Sequence, residues 1–323
     1  MVFSEIPLSL GIVNVFISYI VVILQTGNGD QCIIFIMTDT LARMRLMILI
    51  MLLLSMAGVW ILPKMEEEER NPELFVSFLN IGQGDAVFIE TASGVQILID
   101  GGPTSAILRE LAEVMDIFDT HIDIVVGTHP DKDHIGGLVD VLNRYNVDTI
   151  ITTENESESA VFQAFKDAVA AEEADVILAR RGQIVTLDAS TTLEILFPEN
   201  NPKDMESNAS SIVLRLTYGE SSFLFTGDSP KRIEEYLVLA EGEYLKSDVL
   251  KIGHHGSRTS TSEIFLDEVH PTYAVISAGR DNSYGHPHVE VTDTLFNAGV
   301  RILNTAEVGR ITFVSDGEGI QVK

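Results

Sequence analysis

The chain has 323 residues, enough for a large buried core, with 48 acidic against 21 basic residues and a formal charge of −27. So acidic a surface repels nucleic acid at long range in dilute salt. It suits a protein bathed in concentrated salt, where the Debye length contracts to about 3 Å at 1 M, so a halophilic source is the preferred reading and an acidic exported protein the alternative. Cys32 is the only cysteine, which excludes an intramolecular disulfide and any cysteine-based zinc site.

Residues 6–24 and 46–62 are almost uninterrupted apolar runs, each near the ~20 residues that an α-helix needs to cross a bilayer. Arg43 and Arg45 precede the second run and Glu66, Glu67, Glu68 and Glu69 follow it. The positive-inside bias then keeps the arginines cytoplasmic and the rest of the chain outside. Alternatively Met44 or Met47 is the true start and the second run is a signal peptide or single anchor, which still exports the remainder of the chain. The predicted organisation is a hydrophobic region over 1–70, with one or two helices acting as a transmembrane anchor or signal segment, and a catalytic domain over 71–323.

Within that domain, 74–79, 86–90 and 95–100 read as closely spaced strands and hence hairpins. A helical pattern over 105–118 leads to a buried strand at 122–126. A helix at 135–143 precedes a strand at 149–152, and 157–171 reads as an amphipathic helix. Beyond a strand at 193–197 and a polar loop, the strands 212–217 and 222–226 form a hairpin through Tyr218, Gly219 and Glu220. Helices at 230–240, 260–269 and 289–298 then alternate with strands at 249–252, 273–277 and 302–303. Strands followed by helices, twice over, predict an α+β fold in which two sheets pack as a sandwich with helices on the outer faces.

The densest chemistry is Thr128-His129-Pro130-Asp131-Lys132-Asp133-His134-Ile135-Gly136-Gly137, directly after an apolar strand. Four metal-capable side chains within six residues can wrap one or two cations, and the paired glycines let the backbone turn into the next helix. Asp100, Asp228 and the pair His254-His255 also follow strands, and groups at successive strand ends can converge on one rim. A last cluster is Tyr284-Gly285-His286-Pro287-His288.

In order and spacing, Asp100, the cluster from His129 to His134, Asp228 and the late histidine pair resemble the metal-binding series of the metallo-β-lactamase superfamily. Within it, Asn80-Ile81-Gly82-Gln83-Gly84-Asp85 is similar to the opening motif of the ComEC-type competence hydrolase domains. Lys251-Ile252-Gly253-His254-His255-Gly256-Ser257 and residues 284–288 resemble their late motifs. The likeness spans about residues 74–316 and implies a four-layer αββα sandwich. Three departures stand out. Asp131 replaces the middle histidine of HxHxDH, as is usual in the ComEC-like group. No histidine lies between His134 and His254, where Asn208, Ser210 or Ser211 stands instead. Asn80 replaces an aspartate.

By that resemblance His129, Asp131 and Asp228 hold one metal ion, and Asp133, His134, Asp228 and His255 a second. His254 then contacts substrate and Asp100 supports a ligand histidine from behind. An oxygen-rich first site makes Mn²⁺ a rival to Zn²⁺. Two cations about 3.5–4 Å apart, bridged by Asp228, activate a water at neutral pH. Asp133 orients that nucleophile, and His254, His286 or His288 stabilises developing charge or protonates the leaving group. The resemblance implies an extracytoplasmic, membrane-anchored or secreted nuclease acting on DNA, either free-standing or beside a separate DNA-uptake channel protein, because this chain lacks the polytopic channel of the family. Alternatives are an esterase of a small phosphodiester or other ester, and a metal-stabilised binding module without turnover.

Overall fold

The computed structural model describes residues 20–25, 32–37, 47–49, 51 and 73–323. The chain divides into two units, Met1–Arg70 and Asn71–Lys323. In the first, β1 (Ile20–Gln25) pairs antiparallel with β2 (Cys32–Met37). The end of the first apolar run is therefore strand, in keeping with the β-branched Ile20, Val21, Val22 and Ile23. Of the second run, 47–49 and 51 are helical. The remainder of both expected helices lies outside the described residues, among which no helix is long and apolar enough to cross a membrane.

The second unit holds two mixed sheets. One contains β3 (Leu74–Phe78), β4 (Val87–Glu90), β5 (Gln96–Ile99), β6 (His121–Gly127), β7 (Asn146–Thr152) and β8 (Asp175–Leu178), with β16 (Ile311–Ser315) and β17 (Ile320–Val322) added beside β3. The other runs from β9 (Ile184–Thr186) through β10 (Thr191–Phe197), β11 (Val213–Tyr218), β12 (Ser221–Phe225), β13 (Val249–Lys251) and β14 (Tyr273–Ile276) to β15 (Arg301–Asn304). Each half begins with antiparallel hairpins and ends in parallel pairs, β5 through β8 and β12 through β15. The parallel pairs need crossover connections, and helices supply them. These include Ala106–Leu111, Leu138–Leu142 and Ala160–Ala171 on one sheet, and Lys231–Glu241, Glu263–Val269 and Val289–Asn297 on the other.

Strand alternation decides which side chains go where. Ile97 and Ile99 face the core between the sheets together with Phe223 and Phe225, whereas Leu98 packs outward with Ile107 and Leu111. Ring contacts tie the sheets together, with Phe78 and Phe225 6.1 Å apart and Phe223 and Phe313 6.0 Å apart between centroids. A third core holds Leu224 and Leu250 against Leu237, Phe265 and Leu295. The order of layers is helix, sheet, sheet, helix.

Three expectations change in detail. The helix expected over 105–118 stops at Leu111, and Ile117 and Phe118 beyond it are exposed, so the apolar periodicity outruns the packing. The helix expected over 135–143 is two short ones, Lys132–Ile135 and Leu138–Leu142, divided at Gly136 and Gly137. A Cβ on Gly136 would sit 2.6 Å from the Pro103 carbonyl oxygen, so only glycine lets this turn press against the loop after β5. Finally, β8, β9, β16 and β17 lie where the pattern carries no strand.

Candidate metal centre

The functional side chains sit on loops that leave the C-terminal ends of parallel strands, where the sandwich presents one rim. Asp100 follows β5, residues 128–134 follow β6, Asp228 follows β12, and His254 and His255 follow β13. Asp100, His254 and His255 hold left-handed backbone conformations with φ of 58°, 51° and 54°. Such conformations cost about 1–3 kcal/mol each and persist where surrounding contacts enforce them.

Hydrogen bonds settle how each imidazole is presented. Asp100 accepts from the Thr128 backbone N–H at 2.9 Å, from the Thr128 hydroxyl at 2.7 Å and from His134 Nδ1 at 2.7 Å. Having donated its only proton to Asp100, the Thr128 hydroxyl is left to accept from His129 Nδ1 at 3.0 Å. His255 Nδ1 donates to the Ser277 carbonyl at 2.9 Å. The neutral form of each of the three rings therefore carries its proton on Nδ1, which leaves Nε2 to take a metal ion or a second proton.

Those three Nε2 atoms are buried and have no hydrogen-bond partner, and neither has Asp228 Oδ1. Asp228 Oδ2 lies 3.3 Å from His134 Nε2 and 3.5 Å from His255 Nε2, while Asp133 Oδ2 lies 3.3 Å from His255 Nε2. Four overlapping groups each bring their ligand-capable atoms within 4.8 Å of one another: His129 with His134 and Asp228, Asp133 with His134 and His255, Asp85 with Asp100 and His134, and Asp85 with Asp228 and His255. Buried polar atoms without partners are costly, so a converging set of them fits divalent cations.

The local electrostatics carry the same stamp. Burial pushes His129 down to about 3, helped by neighbouring His134. Burial acts on His255 in that direction too, but Asp228 and Asp85 overcome it and carry the ring up to about 9. His134 is likewise raised, against its burial, by Asp228 and Asp100. Asp228 is held well below the usual carboxylate range by His255 and His134 despite its burial. Without cations, then, protons on two histidines compensate the carboxylates.

The structure thus brings together His129, Asp133, His134, Asp228 and His255. Asp131 stands at the edge of the group. Its Oδ2 is 3.8 Å from His129 Nε2, while its Oδ1 accepts from the Ser207 hydroxyl at 2.6 Å. His254 is partly exposed, its Nε2 3.9 Å from Asp228 Oδ2 and its Nδ1 3.0 Å from the Thr259 hydroxyl. Asn208 touches the His254 ring, and Ser211, in the region of the missing histidine, accepts from the Asp228 backbone N–H at 3.1 Å. The His286 ring lies 5.6 Å from that of His254 and stacks on Tyr284. Burial, then His254 and His255, lower its pKa to about 4. His288, its ring 4.9 Å from that of His286, accepts from the Arg258 backbone N–H at 3.2 Å.

Two residues escape sequence reasoning. Asp85, 3% exposed, places Oδ1 3.3 Å from His255 Nδ1 and Oδ2 3.7 Å from His134 Nδ1. Lys251, 2% exposed, ion-pairs with Asp85 and donates to the Gly227 carbonyl at 3.0 Å. Both lie inside the quoted motifs, which were the available signal, but nothing in their spacing says that they meet.

Residues 79–280 match the model of the metallo-beta-lactamase superfamily, and the chain belongs to that superfamily, whose fold is generally hydrolytic and binds divalent metals. Among curated proteins it is 33% identical over 260 residues to ComE operon protein 3 of Bacillus subtilis, covering 74% of this chain and 32% of that protein. It is 31% identical to competence protein ComA of Neisseria gonorrhoeae, covering 78% of this chain and 34% of that protein. The chain spans about a third of the length of these relatives. Among solved structures, the diiron β-hydroxylase CmlA of Streptomyces venezuelae shares the fold at a TM-score of 0.50 and 16% identity, over 75% of this chain and 54% of that one.

Proposed function

We propose that this chain is a metal-dependent phosphodiesterase that cleaves DNA outside the cytoplasm, in a role like that of the competence proteins it resembles. The observation that carries the reading is the convergence of three partnerless Nε2 atoms and the Asp228 carboxylate on one rim. His129, Asp131 and Asp228 would hold one ion, and Asp133, His134, Asp228 and His255 the other, with Asp228 shared. The ligand set mixes imidazole with carboxylate, which suits Mn²⁺ as well as Zn²⁺.

Two divalent ions so held supply a nucleophilic water at neutral pH and neutralise charge on a phosphoryl group. The chain's own residues do the positioning. Asp133, facing His255 Nε2 from the rim, orients the attacking water. His254, on the exposed side of Asp228, contacts substrate. With a pKa near 4, His286 is neutral at pH 7, so it stabilises developing charge by an N–H hydrogen bond rather than by delivering a proton. Residues 71–323 form the catalytic domain and residues 1–70 its membrane anchor or export signal, with a separate channel protein as a candidate partner.

A second reading, hydrolysis of a small phosphodiester or other ester, is favoured by the charge of −27, which opposes the approach of DNA in dilute salt. Assaying the full chain on supercoiled plasmid and on bis(p-nitrophenyl) phosphate, with Mn²⁺, Zn²⁺ or chelator, separates the readings. Nicking that needs metal supports the first, turnover of the small diester alone supports the second, and metal binding without either leaves a non-catalytic binding module. For location, protease added to intact cells should reach the domain, and protection until lysis would reverse the orientation.

A further inference from the structure

The metal-centre reading leaves one buried ion pair unused. Lys251 ends β13, and its ammonium lies against Asp85 and 3.9 Å from Asp228 Oδ1, the carboxylate that both ions would share. Asp85 approaches the Nδ1 sides of His134 and His255, away from the Nε2 atoms that face Asp228 and Asp133. Its backbone is pinned as well, its N–H donating to the Asp133 carbonyl at 3.1 Å and its carbonyl accepting from Gly102 at 2.8 Å. A charged pair this deep is expensive to desolvate and is often replaceable by apolar residues without loss of stability, so its presence calls for a reason beyond folding.

We infer that Lys251 is a resident counter-cation that sets the affinity of the centre for metal: by cancelling the charge of Asp85 it keeps that carboxylate, whose Oδ1 has no hydrogen-bond partner, on the Nδ1 side of the histidines and outside the ligand set. Coulomb forces are weakly screened in such an interior. Removing the ammonium should therefore leave the site more negative and tighten cation binding. Neutralising Asp85 should leave a bare ammonium beside Asp228 and weaken it. Neutralising both should bring the affinity back. That pattern of opposite signs with cancellation is what damage to the fold does not produce, since damage weakens binding in every variant.

The experiment is Mn²⁺ titration of the full chain by calorimetry, with bound metal counted by elemental analysis, for the unaltered protein, Lys251→Met, Asp85→Asn and the double variant. The expected result is a Kd at least about tenfold lower in Lys251→Met, at least about tenfold higher in Asp85→Asn, and within about threefold of the unaltered protein in the double variant. Weaker binding in Lys251→Met overturns the inference. So does a double variant as weak as Asp85→Asn, which would make Asp85 a ligand. If Lys251→Met does not fold, Asp85→Asn and the double variant decide by the same comparison. The inference rests on the metal-centre reading, and the two fail differently: an unaltered chain that binds no Mn²⁺ sinks that reading, whereas normal binding with the wrong signs sinks only the role of Lys251.

Discussion

Replacing Asp228 by asparagine keeps the shape of the side chain and removes its charge. Asp228 is buried, with Oδ2 3.3 Å from His134 Nε2 and 3.5 Å from His255 Nε2. Breaking a buried charge pair by removing one partner costs about 3–5 kcal/mol. At about 1.4 kcal/mol per tenfold, that is a loss of roughly two to four orders of magnitude in metal affinity. On the proposal that this carboxylate is shared, both ions should be affected. The metal-free variant should also melt below the unaltered protein near pH 7, since the protonated His134 and His255 lose the carboxylate that heads the attractions holding their pKa values up. Elemental analysis after gel filtration, melting curves with and without Mn²⁺, and the plasmid assay read the three effects. A variant that keeps its metal and its activity would refute the role given to Asp228.

The late histidines should separate. His255→Ala should lose metal, whereas His254→Ala should slow turnover with metal retained; the reverse pattern would exchange their roles. For pH, His255 is raised from 6.5 to about 9 in the folded chain and His134 is raised too, so their contribution is fully present below pH 6.5 and lost as pH rises through 9. The metal-free melting point should fall across that window, with His255 alone worth on the order of 3 kcal/mol, and metal should protect more at its alkaline end. A flat or rising melting point would contradict this. Salt should stabilise a chain of charge −27, so melts in 0.1 M-scale and multimolar KCl should differ in favour of the higher concentration, and an unchanged or lower midpoint would remove the halophilic reading.

Most of the rim was legible because its metal-capable side chains follow strand ends, and the loop from His129 to His134 packs several of them into one turn. Asp100 was legible for the same reason, and its three hydrogen bonds show it holding His134 and Thr128. Asp85 and Lys251 were not, because their contact joins the loop after β3 to the end of β13, and no local pattern encodes a pairing across so much chain. The same limit hides β16, which pairs with β3 in register Phe313 to Val76. For β8 and β9 the cause differs: Val176, Leu178 and Ile184 are exposed at sheet edges, so the alternation that marks a half-buried strand is weak.

The central claim is a two-ion hydrolytic centre, and the direct measurement is the metal content of the purified full chain, stripped with chelator and titrated back with Mn²⁺ or Zn²⁺ while bis(p-nitrophenyl) phosphate and plasmid cleavage are followed. The expected result is activity that vanishes on stripping and returns as metal rises to two ions per chain. Undiminished cleavage by the stripped protein, or a folded chain that takes up no divalent ion, would contradict it.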